Sequence, residues 1–285
     1  ICRNLRIPIF FALIYNEINV KSMKLRGGTM NITYVNPGFQ AMIDSIMAFQ
    51  NDVETSYWSE PLFHFFPNLD QIIFQALSMD EKKDYLSEEL GKVYQEQESI
   101  INQKVNDYNH YWKKFQPQIE EALSDAFGID VTSLFNDLRG EICLNPICPR
   151  FLQEKYFQIF YLNSERGALG MSLHEIIHYL WFYVWNEEFE DSYDEYERPS
   201  LKWILSEMVV ESIMGDERLS SINPYYPGSV YDYFQTMEVD NERVLAVLDG
   251  MYRCGDIKKF MHDSYEYCLS NEEEIRAHIR HAEEE

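Results

Sequence analysis

The chain of 285 residues is short of several things, and each shortage excludes something. Cysteine is scarce and odd in number, five in all, which excludes a disulfide-stapled scaffold and predicts a reducing, cytoplasmic setting. Basic residues are half as numerous as acidic ones, 24 against 48, for a net charge of −24. Such a field repels phosphate backbones and anionic headgroups, so neither nucleic acid nor a membrane surface is an expected partner. No apolar run approaches the roughly 20 residues that a bilayer span requires. Twelve glycines and ten prolines are too few for a collagen-like chain. What is present is core-forming material: 46% of residues are hydrophobic and 15% aromatic, which excludes a disordered chain.

The first 29 residues differ from the rest. They hold Arg3, Arg6, Lys21, Lys24 and Arg26 against the single acid Glu17, so the segment is +4 and the remainder −28. A short apolar run, Ile7 to Tyr15, follows the two arginines. A secretory signal is one reading, although no small-x-small cleavage site follows the run. The other is translated upstream sequence ahead of a start at Met30, with Arg26-Gly27-Gly28 as the read-through of a purine-rich ribosome-binding site. On either reading residues 1–29 are a non-native or disordered leader, and the fold is read from residue 30 onward.

From Asn31 to about Gly128 the periodicity is helical. Phe39, Met42, Ile43, Ile46 and Phe49 recur at threes and fours, as do Ile72, Ile73, Ala76 and Leu77. Pro61 and Pro67 are expected to divide this stretch. Residues 86–127 read as one or two long amphipathic helices interrupted near Pro117. Glu141–Leu144 and Tyr156–Leu162 are strand candidates, the second rich in aromatic and β-branched residues. A loop holding Gly167 and Gly170 leads to an apolar helix at about Met171–Trp185, with a true start as early as Ser164 or Leu169. Seven carboxylates between Glu187 and Glu197 read as a solvated connection, and a second apolar helix follows at about Leu201–Met214. The expectation is an α+β, predominantly α-helical fold with a small sheet in the middle.

The pattern that carries chemistry is His174-Glu175-Ile176-Ile177-His178. Residues i and i+4 lie one above the other on a helix, so both imidazoles can reach one cation, and Glu175 can meet a water on that cation. Leu173, Ile176, Ile177, Leu180, Phe182 and Val184 make the helix apolar nearly all round. Three polar side chains buried there are costly unless something satisfies them, as a divalent cation would. A structural alternative is a capping box of Ser172 with Glu175, which an earlier helix start removes. Trp181 and Val184 stand where a metzincin would place its glycine and third histidine, so that arrangement is excluded. The next helix instead offers Glu207 and Glu211, again i and i+4. Two such carboxylates divide their roles: Glu207 as third metal ligand, and Glu211 accepting the spare N–H of a ligating imidazole.

HEIIH at 174–178 followed by SEMVVE at 206–211 resembles the gluzincin branch of the HExxH zincin metallopeptidases, of which thermolysin-like and neprilysin-like enzymes are familiar members. The wider context is similar to poorly characterised bacterial members. The spacing from His178 to Glu207 is longer than in thermolysin and shorter than in neprilysin, and the second acid is Glu rather than Asp. The resemblance implies a zincin-like fold with its mixed sheet beside the active-site helix. Its domain would be single and bilobed over 30–285, with a helical part (30–135), the sheet and metal helix (136–186) and a helical lobe (187–285). It also implies zinc on His174, His178 and Glu207, Glu175 as general base, Glu211 as the orienting carboxylate, and a peptide or protein substrate. The oxyanion donor of such enzymes is often Tyr or His. Tyr226 is the leading candidate, with Tyr225, Tyr231, Tyr233 and His262 behind it. By the same resemblance, the edge of Glu141–Leu144 or Tyr156–Leu162 would lie beside the cleft and pair with an extended substrate. Two other readings stand beside this one: a zinc hydrolase of non-peptide amides, and a non-catalytic helical binding or scaffold protein whose HExxH is accidental or structural.

Overall fold

The computed structural model describes residues 30–50, 55–191, 196–224, 231–253 and 255–284. The leader at 1–29 lies outside them. The fold is α+β and mostly helical. Its four-stranded sheet, in the order β1-β2-β4-β3, is built from β1 (Ile32–Val35), β2 (Leu138–Cys143), β3 (Arg150–Phe151) and β4 (Tyr156–Phe160). β1, β2 and β4 run parallel, and the short β3 runs antiparallel to β4.

β1 lies inside the stretch whose periodicity reads as helical. Its four residues, Ile-Thr-Tyr-Val, are all β-branched or aromatic, and they bury Ile32 and Tyr34 alternately against the core. Four residues are too few for a period to register. Between β1 and β2 stand α1 (Phe39–Ala48), α2 (Thr55–Phe65), α3 (Gln71–Ala76) and α4 (Met79–Phe127). α1 buries Met42, Ile43 and Ile46 as expected. α3 does not bury its isoleucines: Phe74 is the inward residue, and Ile72 and Ile73 are exposed. Pro61 lies within α2 and does not end it. α4 is one helix of 49 residues that runs straight through Pro117. Pro117 and Lys113 are both exposed, so water can take the carbonyl that proline leaves unpaired. The helix starts with Ser78 N–H donating to Glu81 and stops at Gly128, which takes the left-handed conformation at φ 63°.

α4 also closes one edge of the sheet. Asn109 accepts from the Tyr34 N–H at 3.1 Å and donates to the Tyr34 carbonyl at 2.9 Å, which occupies the outer side of β1. β2 and β4 are each paired on both sides. Gln158 N–H donates to the Pro149 carbonyl and Phe160 N–H to Cys148 Sγ, extending the cover on β4 beyond β3. This corrects the expectation that β2 or β4 offers its edge to a cleft: the edge available is Cys148–Phe151.

α5 (Glu165–Phe189) starts before the two glycines. Ser164 caps it by accepting from Gly167 N–H, so Gly167 and Gly170 are helical rather than part of a loop. Ser172 therefore makes no capping box; its hydroxyl donates to the Ala168 carbonyl and pairs with Tyr34 Oη at 2.7 Å. Two turns on, Tyr179 Oη donates to the Phe151 and Tyr156 carbonyls. At about 100° per residue, Ser172 and Tyr179 share the sheet-facing side, and His174 and His178 fall on the opposite one. α6 (Leu201–Met214) packs there. Glu187 and Glu188, read as part of an acidic loop, belong to the last turn of α5, and Asp191 beyond it accepts from Trp185 Nε1 and pairs with Lys202.

After α6 come α7 (Glu217–Ser220), α8 (Asp232–Thr236), the hairpin β5 (Glu238–Val239) and β6 (Glu242–Arg243), α9 (Val244–Tyr252), α10 (Ile257–Ser270) and α11 (Glu272–Glu284). No helix among the described residues is long and apolar enough to cross a membrane.

Gly140 of β2 tests the packing of the sheet on α5. A Cβ there would stand 2.6 Å from the Tyr34 ring, which is 2% exposed and pinned through Ser172. Gly140→Ala should cost about 1–3 kcal/mol. Gly250→Ala on α9, where a Cβ meets nothing within 4 Å, should be neutral or stabilise by up to about 1 kcal/mol. Chemical denaturation of both variants checks the contrast.

Candidate metal centre

α5 delivers His174 and His178 one turn apart, and α6 faces them with Glu207. All three are buried, at 9%, 0% and 4% exposure. The two Nε2 atoms are 3.1 Å apart. Glu207 Oε1 lies 3.6 Å from His178 Nε2, and Oε2 lies 3.9 Å from His174 Nε2. One ligand atom from each residue therefore falls within 4.8 Å of the other two, and the group could hold a metal ion. The donor set suits zinc, whose ligands at about 2.0–2.1 Å in a tetrahedron stand roughly 3.3 Å from one another. The spacing present is close to that.

Glu175 is 4% exposed, with Oε1 4.0 Å from His174 Nε2 and with Oε2 buried and without a hydrogen-bond partner among the described residues. Arg150, on β3, completes the cluster. Its Nη1 donates to Glu207 Oε1 at 2.8 Å and stands 3.9 Å from Glu175 Oε2, and its side chain is only 13% exposed. Sequence reading missed Arg150. Nothing in the spacing marks it, because it is a lone arginine between Pro149 and Phe151, brought to α5 and α6 only by the turn of the chain at the sheet edge.

Glu211 lies one turn farther along α6, about 6 Å along its axis from Glu207. It accepts from Gln235 Nε2 at 3.4 Å and bonds neither imidazole, so the expected carboxylate–imidazole link is absent here. His178 Nδ1 is buried with no hydrogen-bond partner among the described residues. Tyr225 and Tyr226 lie outside the described residues. Tyr231 lines the cleft beside the centre, with Tyr233 stacked on its ring. His262 pairs with Glu188 on the surface and is not a cleft residue.

The cleft has a volume of about 680 Å³. Its floor holds His174, Glu175, Glu207 and Arg150. Phe65, Met171, Trp203 and Tyr231 supply apolar wall, and the strand edge at Cys148–Arg150 borders it.

No protein-family model, no curated protein and no solved structure matches the chain. What the centre can do rests on its own geometry and charges.

Burial lowers the His174 pKa to about 4 despite the pull of Glu207 in the other direction, with Arg150 adding to the lowering. Burial, Arg150 and His174 together hold His178 well below the usual histidine range. Both imidazoles are therefore neutral at neutral pH, the form that ligates metals. Burial raises the Glu175 pKa to about 8; Arg150 opposes the rise and Glu207 adds to it. Burial disfavours the charged form of Arg150, but Glu207 and Glu175 outweigh it and hold the guanidinium protonated above its ordinary value. A cation within the triad would draw the Glu175 value down again.

These shifts set the pH response of the metal-free protein. Folded Glu175 keeps a proton that the unfolded chain releases above its ordinary value of 4.5. Its contribution is complete below that value and is lost as pH rises through about 8. The histidines act in the opposite sense, and their contribution falls away below about 6.5. In chelator, the stability of the wild type relative to Glu175→Gln should therefore decline between pH 5 and 8, by up to about 1.4 kcal/mol per pH unit. Urea denaturation across that range checks it, and parallel curves would refute the assignment.

Proposed function

We propose that the chain is a zinc-dependent metallopeptidase of the zincin type, hydrolysing peptide bonds with Glu175 as general base. The observation that carries this reading is the convergence of His174, His178 and Glu207 beside a Glu175 carboxylate oxygen that has no hydrogen-bond partner among the described residues, next to a cleft. Such a quartet is what metal-assisted hydrolysis needs: three ligands, and a carboxylate next to the open position. Zinc held there supplies a Lewis acid that polarises the scissile carbonyl and acidifies a water.

The rest of the chemistry belongs to the chain. His174 and His178 stay neutral because they are buried, so no proton competes for their lone pairs. Glu175 accepts the proton of the attacking water and passes it to the leaving nitrogen. Low polarity around the cluster strengthens each of these interactions. The strand edge at Cys148–Arg150 borders the cleft and could pair with an extended peptide, and Phe65, Met171, Trp203 and Tyr231 favour apolar side chains beside the scissile bond.

Glu175→Gln should retain one zinc per chain and lose about 10²–10⁴-fold in peptide hydrolysis. His178→Ala should lose the zinc. Elemental analysis of purified protein, with cleavage of a peptide library, measures both. A wild type that binds no zinc, or a Glu175→Gln variant that hydrolyses normally, would sink the proposal.

A further inference from the structure

We infer that Arg150 is a catalytic residue of this centre, the donor that stabilises negative charge on the scissile carbonyl oxygen. The inference rests on the metallopeptidase reading and adds to it a residue outside the HExxH and glutamate pattern.

Three observations carry it. Arg150 lines the cleft and reaches the reacting groups: its Nη1 is 2.8 Å from Glu207 and 3.9 Å from Glu175. Of its five N–H donors, the Nη1 bond to Glu207 is the one side-chain hydrogen bond it makes among the described residues. Nε and Nη2 donate to nothing there, yet they are not among the fully buried atoms without a partner, so they keep some exposure on a side chain that lines the cleft. Finally, the guanidinium is anchored from two directions. β3 pairs Arg150 with Phe157, while the carboxylate of Glu207 fixes the far end. An anchored fork with unspent donors is preorganised for charge that develops only during reaction.

The chemistry balances without any further reagent. Water oxygen bonds to the carbonyl carbon as Glu175 takes one water proton, and the C=O π pair moves onto oxygen, where Nε or Nη2 of Arg150 donates. The pair then returns to re-form C=O, the C–N bond breaks, and Glu175 gives its proton to the leaving nitrogen. Because the interaction strengthens as charge builds on that oxygen, it acts on kcat more than on KM.

Arg150→Met removes the donors and keeps the unbranched stem as far as the place of Nε; Arg150→Lys keeps the charge without the fork. Each is compared with wild type in four measurements: zinc content, melting temperature, kcat and KM on a peptide blocked at both ends, and affinity for N-phosphoryl-leucyl-phenylalanine amide, whose tetrahedral anion mimics the charged intermediate. Arg150→Met should keep its zinc, leave KM within about threefold, and lower kcat by about 10²–10³-fold. Its affinity for the phosphoryl probe should fall in parallel, and added guanidinium ion should restore part of kcat. Arg150→Lys should lie between the two. Unchanged kcat and probe affinity would overturn the assignment. So would loss of zinc or of the fold in both variants, which would make Arg150 a positioning residue for Glu207. A rise in KM alone, with kcat unchanged, would make it a substrate anchor instead. If the wild type cleaves no peptide, the metallopeptidase reading fails while the probe affinities still decide whether Arg150 binds the tetrahedral anion.

Discussion

The burial of ionisable side chains among apolar ones is the constraint around which the centre is built. Glu175, Glu207 and Arg150 are all removed from water, at 5%, 5% and 13% side-chain exposure, in a space framed by α5, α6 and the sheet edge. Burying a charge is expensive unless it finds a partner of opposite sign in the right geometry, and Glu175, its pKa raised to about 8, escapes that cost by keeping its proton. A bond of 2.8 Å between Nη1 and Oε1 provides that partner for Glu207, and the same nitrogen stands within 3.9 Å of Glu175. The two imidazoles answer the same constraint differently, by giving up their charge. The cluster is polar but not self-sufficient, since Glu175 Oε2 and His178 Nδ1 still have no hydrogen-bond partner among the described residues. That residual want, in an interior otherwise built of Leu, Ile, Trp and Phe, is the physical basis for placing a cation there.

The sheet and α4 exist, for this purpose, to hold α5 in one orientation. Ser172 and Tyr179 tie one side of the helix to β1 and to the β3–β4 turn, so its opposite side, with the histidines, must face α6. Asn109 of α4 occupies the outer backbone groups of β1, which leaves the β3 side as the accessible sheet edge. The cleft therefore has a strand edge and the Arg150 guanidinium on one side and the candidate metal triad beside them. Neither feature is independent of the other, because Arg150 belongs to both.

Much of this is legible in the sequence. α6 is readable to its ends, since the helix expected at about Leu201–Met214 is the one observed. β4 is visible as an aromatic and β-branched cluster and β2 only in part, at Glu141–Leu144, while the pairing of His174 with His178 follows from helical geometry alone. Other elements escaped for identifiable reasons. β1 is too short to show a period, and its stability comes from pairing with β2, more than one hundred residues away. Pro117 marks a break wherever the freed carbonyl would be buried, and here it is exposed. Ile72 and Ile73 suggest a buried stripe, but α3 has only six residues and buries Phe74 instead.

By itself the sequence determined the helical pair, the spacing of the two imidazoles and the acidic residues available to join them, because these depend on contacts within a few residues along one helix. Only the tertiary structure decided that Glu211 accepts from Gln235 rather than from an imidazole, that β3 rather than β2 or β4 forms the accessible edge, and that Arg150 enters the centre. Those outcomes depend on how α5, α6 and the sheet pack across long separations in the chain. No local period encodes the distance between two charges that meet only when their surroundings have expelled water.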